Sequence, residues 1–176
     1  MYTCCDKIII AGVSMGGIIA LHLGTLFRVD GIIAASPLLK FKSEFHVRIL
    51  TRLFHKIKKT TPKDGMFQPD PSKVIEQGFY GYDHYPLSAL NEMRKMIDAV
   101  KPNLSKIISP TLLIHSTVDY TTPFKNHQLI TDLLINSELS TLVLNKAGHN
   151  IFDTISDDKD IVFSAIDNFI KVNFHV

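Results

Sequence analysis

Apolar residues along this chain follow two periods, and their alternation predicts an architecture. Four short runs are almost wholly apolar: Lys7 to Val13, Gly31 to Ala35, Thr111 to Ser116 and Thr141 to Asn145. They are rich in β-branched residues and lack an in/out alternation, as strands do in a parallel sheet covered on both faces. Helical spacing lies between them. Met15 to Phe27 follows the first run at once. Phe124 to Ile135 places Ile130, Leu133 and Leu134 on one face, and Thr122-Pro123 before it reads as an N-cap with proline at the first helical position. Asp158 to Val172 puts Ile161, Val162, Ala165, Ile166, Phe169 and Ile170 on one stripe. Ser156 and Asp157 supply its start signal, and acids in its first turn suit the helix dipole. The alternation predicts a sheet of about four parallel strands in sequence order, joined by right-handed crossovers, with Lys7 to Val13 at one edge.

The stretch from about 38 to 109 breaks this rhythm and is too long for an ordinary crossover. Helices are expected over Glu44 to Lys59, Pro71 to Gln77 and Pro86 to Val100, the last with Leu87, Leu90, Met93, Ile97 and Val100 at helical spacing. The insertion lies between two strands whose C-terminal ends should flank a site, so it is expected to form a helical cap on one α/β domain spanning 1–176. Its first part is basic: Lys40, Lys42, Arg48, Arg52, Lys56, Lys58, Lys59 and Lys63 stand against Glu44. A solvated helix face accounts for this; attraction of an anionic substrate or lipid surface is the alternative.

Composition narrows the class. With 45% hydrophobic residues the chain is that of a globular protein, and a net charge of +2 gives no general attraction to nucleic acid or membrane. The apolar runs are too short to span a bilayer, so no membrane insertion is expected. Cys4 and Cys5 are adjacent, which rules out a disulfide framework and zinc-ligand spacing and fits a reduced, cytoplasmic protein with no signal peptide.

The chemistry begins at Gly12-Val13-Ser14-Met15-Gly16, between the first apolar run and the first helix. Strand, sharp turn and helix around G-x-S-x-G make a nucleophile elbow: small neighbours relieve the clashes of a strained serine, whose Oγ stands above the sheet. A nucleophilic serine needs a base and an orienting acid. Asp119 follows the strand ending at Ser116, and His149 follows the strand ending near Asn145. Ser14, Asp119 and His149 thus sit after three separate strands, in the order Ser, acid, His. His22, His46, His55, His84, His127 and His175 fall in helices, the insertion or the tail. His115, inside a strand, reads as a packed core residue. Asp153, Asp157 and Asp158 read as the beginning of the last helix. The His115 to Asp119 spacing has no second cluster to make a metal site, and no Gly-rich phosphate loop points to a cofactor.

Taken together, Gly-Val-Ser14-Met-Gly-Gly, Ser36-Pro37, Tyr85-Pro86-Leu87-Ser88-Ala89-Leu90, Ser109-Pro110-Thr111-Leu112-Leu113-Ile114-His115, Asp119 with Pro123, and Gly148-His149 resemble the bacterial carboxylesterase and monoacylglycerol-lipase branch of the α/β-hydrolase superfamily. The resemblance covers nearly the whole chain. It implies a Ser14–Asp119–His149 triad, the backbone N–H of Met15 as one oxyanion donor, no cofactor or metal, and a cap holding the acyl or alkyl group of a small to medium ester. Family members carry several strands before the elbow, including the loop that supplies the other oxyanion donor. The chain is therefore expected to be the C-terminal part of such an enzyme, a partial α/β-hydrolase. Without those strands, Lys7 to Val13 is expected to present a bare apolar edge open to self-association. The function implied is carboxylic ester hydrolysis through an acyl-enzyme. A catalytically inactive remnant serving as a binding domain, and a thioesterase or peptidase, are the alternatives.

Overall fold

The apolar runs form a parallel sheet whose interior strands are its most buried. The computed structural model describes residues 4–54, 60–62, 84–152 and 158–174. β1 (Ile9–Val13), β2 (Gly31–Ala35), β5 (Thr111–Ser116) and β6 (Leu139–Leu144) form one sheet in the order β1-β2-β5-β6. Every pairing is parallel, with Val13 opposite Ala35, Ala35 opposite Ile114 and Ser116 opposite Leu144. All four C-terminal ends therefore finish along one edge of the sheet. This is the four-stranded order expected from the sequence, with β1 outermost on one side. β2 and β5 are buried at every residue, while Ala11 and Val13 of β1 are exposed.

Both faces of the interior strands are covered. On one, Ile33, Ala35, Leu112, Ile114 and Leu144 pack with Ala147, Ile151, and Val162 and Phe169 of α5 (Lys159–Phe174). On the other, α1 (Met15–Leu26) lies against β1 and β2 with Ile18, Ala20 and Leu21 buried, and α4 (Lys125–Leu133) lies against β5. Each fully buried Ile or Leu of this kind contributes about 1.5–3 kcal/mol relative to exposure.

Several boundaries differ from the apolar pattern; β1, for one, begins at Ile9 rather than Lys7. β6 begins at Leu139 rather than Thr141, because Thr111 N–H donates to Glu138 O at 2.9 Å and zips the pair two residues earlier. A 3-10 helix, Lys101–Lys106, precedes β5, and only its Leu104 is buried, too sparse an apolar signal to predict it. The helix expected from Phe124 starts at Lys125, and Thr122 is not its cap: the Thr122 hydroxyl is engaged elsewhere, as described below.

The chain divides into two compact units, Met1–Lys40 with Ile97–Val176, and Phe41–Met96. The second unit contains α2 (Glu44–Phe54), the antiparallel pair β3 (Thr60–Pro62) and β4 (His84–Pro86), and most of α3 (Leu87–Val100). Glu44 opens α2 by accepting the Phe41 N–H at 2.8 Å and pairs with Arg48 one turn on. The helix expected over 71–77, residues 55–59 of the first expected helix, and the Ser156-Asp157 start signal lie outside the described residues.

Candidate active site

Ser14 ends β1 and precedes α1 with φ 55° and ψ −115°. A left-handed φ on a non-glycine residue costs about 1–3 kcal/mol and persists only where its surroundings enforce it. Here the Ser14 N–H donates to Ala35 O at 2.8 Å, and Ser14 O accepts Ile18 N–H at 3.3 Å in the first turn of α1. The turn closes because Gly12 has no side chain: a Cβ there would lie 2.1 Å from Gly16 O and 2.8 Å from Gly17 N. The second tight position is Gly17, where a Cβ would meet Pro37 Cβ at 3.1 Å and Ala35 O at 3.2 Å. Gly16, the last glycine of the motif, has open space around it, so the steric reason expected for both flanking glycines applies only to Gly12. Met15 is the first residue of α1, so its N–H belongs to the helix end that has no intrahelical acceptor.

Asp119 and His149 come together beyond the ends of β5 and β6. His149 Nδ1 lies 2.8 Å from Asp119 Oδ2; the Asp119 side chain is fully buried, and the His149 ring keeps 21% of its surface exposed. Asp119 Oδ1 accepts the Thr121 and Thr122 N–H groups, both at 2.9 Å, and Oδ2 accepts the Thr122 hydroxyl at 2.6 Å. A carboxylate offers about four acceptor sites, and these donors with His149 use them all. Burial pushes the Asp119 pKa up. The His149 hydrogen bond and charge, with the two Thr122 hydrogen bonds, outweigh it and bring the pKa down to about 2. An ionised carboxylate only accepts, so the His149 Nδ1 carries a proton, and in the neutral ring the lone pair is on Nε2.

The loop bearing His149 is pinned from two sides by residues that sequence reasoning assigned elsewhere or passed over. The buried Ser116 hydroxyl, at the end of β5, donates to Ala147 O. Asp158 Oδ2 accepts Ala147 N–H at 2.8 Å and Lys146 N–H at 3.2 Å. Asp158 also begins α5 as expected, its carbonyl accepting Val162 N–H at 3.0 Å. Nothing local in the sequence distinguishes its second task from an ordinary helix start. His115 is buried, as expected of a core residue. Its Nε2 lies 2.8 Å from Thr122 O, and because a carbonyl only accepts, that nitrogen carries the proton. Burial pushes the His115 pKa down, which favours the neutral ring, and among the described residues its Nδ1 has no hydrogen-bond partner.

The structure thus places Ser14, Asp119 and His149 at strand ends along one edge of a single parallel sheet, and joins Asp119 to His149. Among the described residues no hydrogen bond joins the Ser14 hydroxyl to the His149 ring; contacts of this kind often tighten only when substrate binds. Also among the described residues, no group of three or more His, Cys, Asp or Glu side chains is arranged to hold a metal ion, and no helix is long and apolar enough to cross a membrane.

Sheet order, elbow and the acid–histidine pair are those of an α/β-hydrolase. The chain belongs to the serine aminopeptidase S33 family of that fold, whose family model matches residues 3–154. A carboxylesterase of Bacillus subtilis (strain 168) is 22% identical over 166 residues, covering 94% of this chain and 64% of its own length. The chain therefore spans less than two thirds of that relative's length. Among the solved structures that share the fold are two lipolytic enzymes. One, described with the metagenome-derived lipolytic enzymes LipS and LipT, superimposes with a TM-score of 0.80 at 22% identity, over 97% of this chain and 67% of that one. The other, the monoacylglycerol lipase of Paleococcus ferrophilus, gives 0.77 at 18% identity, over 95% and 69%.

Proposed function

We propose that this chain is a serine hydrolase cleaving carboxylic esters, of short to medium acyl chains or monoacylglycerol, through an acyl-enzyme. The observation that carries this reading is the pairing of buried Asp119 with the partly exposed His149, 2.8 Å apart, set along the same sheet edge as a serine on a strained elbow. Esterase and lipase activities belong to the carboxylesterase of Bacillus subtilis and the lipolytic structural relatives, and their names support the substrate class. In the proposed cycle His149 Nε2 takes the Ser14 proton as Oγ attacks the ester carbonyl. The Met15 N–H meets the developing oxyanion, and Asp119 holds the imidazole and balances its charge. The tetrahedral intermediate collapses, and the alcohol leaves with the proton from His149. Water, deprotonated by the same ring, then attacks the acyl carbon and returns Ser14 as the acid departs.

The insertion, by its place in the chain between β2 and β5, is proposed to serve as the cap for the acyl or alkyl group. Cys4 and Cys5 are exposed and not joined in a disulfide, which supports a reducing, cytoplasmic setting. Self-association through β1 is part of the same proposal: a parallel edge strand with exposed Ala11 and Val13 is a template for a second chain. Sedimentation at micromolar concentration is expected to show oligomers, and a stable monomer contradicts that element. The catalytic reading is tested with p-nitrophenyl butyrate and an aminoacyl p-nitroanilide side by side. Ester turnover that disappears in Ser14→Ala supports it. Anilide turnover in preference to ester replaces the substrate class with a peptide, the bond that the family description names.

A further inference from the structure

Thr122 reads in sequence as a helix cap, but the structure uses it differently. It is buried, 1% exposed, and both of its donors turn back onto Asp119. Its N–H donates to Oδ1 at 2.9 Å and its hydroxyl to Oδ2 at 2.6 Å. The hydroxyl oxygen also lies 3.5 Å from His149 Nδ1 and 3.4 Å from His115 Nε2. The two hydrogen-bonded contacts do different work. The Thr121 and Thr122 N–H groups fix where Oδ1 sits, but the carboxylate plane can still swing, since the last torsion of aspartate has broad wells. Only a contact on Oδ2 stops that swing. Oδ2 is the oxygen that receives His149, so the Thr122 hydroxyl sets the direction in which the base is held. Thr122 is in turn fixed by His115, whose Nε2–H bonds its carbonyl and whose ring packs edge-on against Phe124 and His127.

We propose that Thr122 is a positioning residue for the acid–base pair, its hydroxyl orienting the Asp119 carboxylate that aims His149. The proposal rests on the reading of Asp119 and His149 as triad members. It assigns a task that no part of the serine-histidine-acid pattern in the sequence encodes.

The test compares the full chain with Thr122→Val and Thr122→Ser. Valine keeps the shape and the backbone donor and removes only the hydroxyl; serine keeps the hydroxyl and removes a methyl. Two readouts are taken: the low-field proton resonance of His149 Nδ1–H, and the rate at which a fluorophosphonate labels Ser14. Hydrogen bonds to charged groups are strong enough that Thr122→Val is expected to slow labelling about 10–100-fold. The Nδ1–H resonance is expected to shift upfield or exchange away, and Thr122→Ser to restore both. A Thr122→Val chain with unchanged resonance and labelling rate overturns the proposal. So does a loss that Thr122→Ser fails to repair, which marks a packing effect. If the resonance depends on Thr122 while the label lands on a serine other than Ser14, the positioning role stands and the proposed function falls.

Discussion

At the end of β1 a serine is held by backbone strain and by missing side chains; beyond β5 and β6 an acid and a base are held by side chains that are present. The elbow depends on the left-handed φ of Ser14, the absence of a side chain at crowded Gly12 and two backbone hydrogen bonds, on an edge strand that is only partly covered. On the acid–base side Asp119 follows the central, fully buried β5 and His149 follows β6, the other edge of the sheet, and the pair draws on Thr121, Thr122, Ser116, Asp158 and His115. The first construction fails through a single added atom. The second can be weakened one hydrogen bond at a time.

The largest effects separate the roles of the two sides. Ser14→Ala is expected to remove activity by about 10⁴-fold or more, and Asp119→Asn by about 10³–10⁴-fold, since an amide in place of the carboxylate favours the wrong imidazole tautomer. Both variants should keep the wild-type circular dichroism spectrum. Gly12→Ala probes the elbow's construction: its methyl meets Gly16 O, a backbone atom that cannot rotate away, at an expected cost of about 3 kcal/mol. Gly16→Ala adds the same methyl into open space near a helix start and is expected to change stability by less than about 0.5 kcal/mol, read as the urea midpoint. Equal losses at the two glycines would erase the distinction.

Acid titration sharpens the contrast on the other side. The Asp119 pKa is about 2 in the fold against 3.8 in the unfolded chain, so its contribution is fully present above 3.8 and is lost as pH falls toward 2. The shift corresponds to about 2 kcal/mol, and Asp119→Asn should flatten the stability–pH curve in that window. The His115 pKa is lowered from 6.5, so it too costs stability as pH falls, beginning below 6.5 where the unfolded chain takes up a proton that the buried ring refuses. A smaller effect is expected from Ser116→Ala, about 1 kcal/mol of stability and a modest fall in kcat with KM unchanged, through a looser His149 loop.

The same contrast decides how much was legible in the sequence. The sheet was readable because β2 and β5 are buried on both faces, so that β2 is apolar throughout and β5 at Leu112, Leu113 and Ile114, and Ser14 because its elbow demands glycine and a strand-to-helix junction. Asp119 and His149 could be chosen because loops after parallel strands fall along one edge. Their supports could not. Thr122 carries a helix-cap signature, Asp158 a helix-start signature and Ser116 none. Each acts through a partner distant in sequence or through a loop geometry that local patterns do not encode. Gly16 was misread for the reverse reason: the motif names it, while the close contacts fall on Gly12 and, less tightly, on Gly17.

The central claim, that Ser14 is a nucleophile served by the Asp119–His149 pair, is tested most directly by mass-spectrometric mapping of a fluorophosphonate adduct on the wild-type chain and on His149→Ala. The account predicts a single adduct on the peptide containing Ser14, formed at least about 10³-fold more slowly when the base is gone. An adduct on another residue, or equally fast labelling of Ser14 without His149, would contradict it.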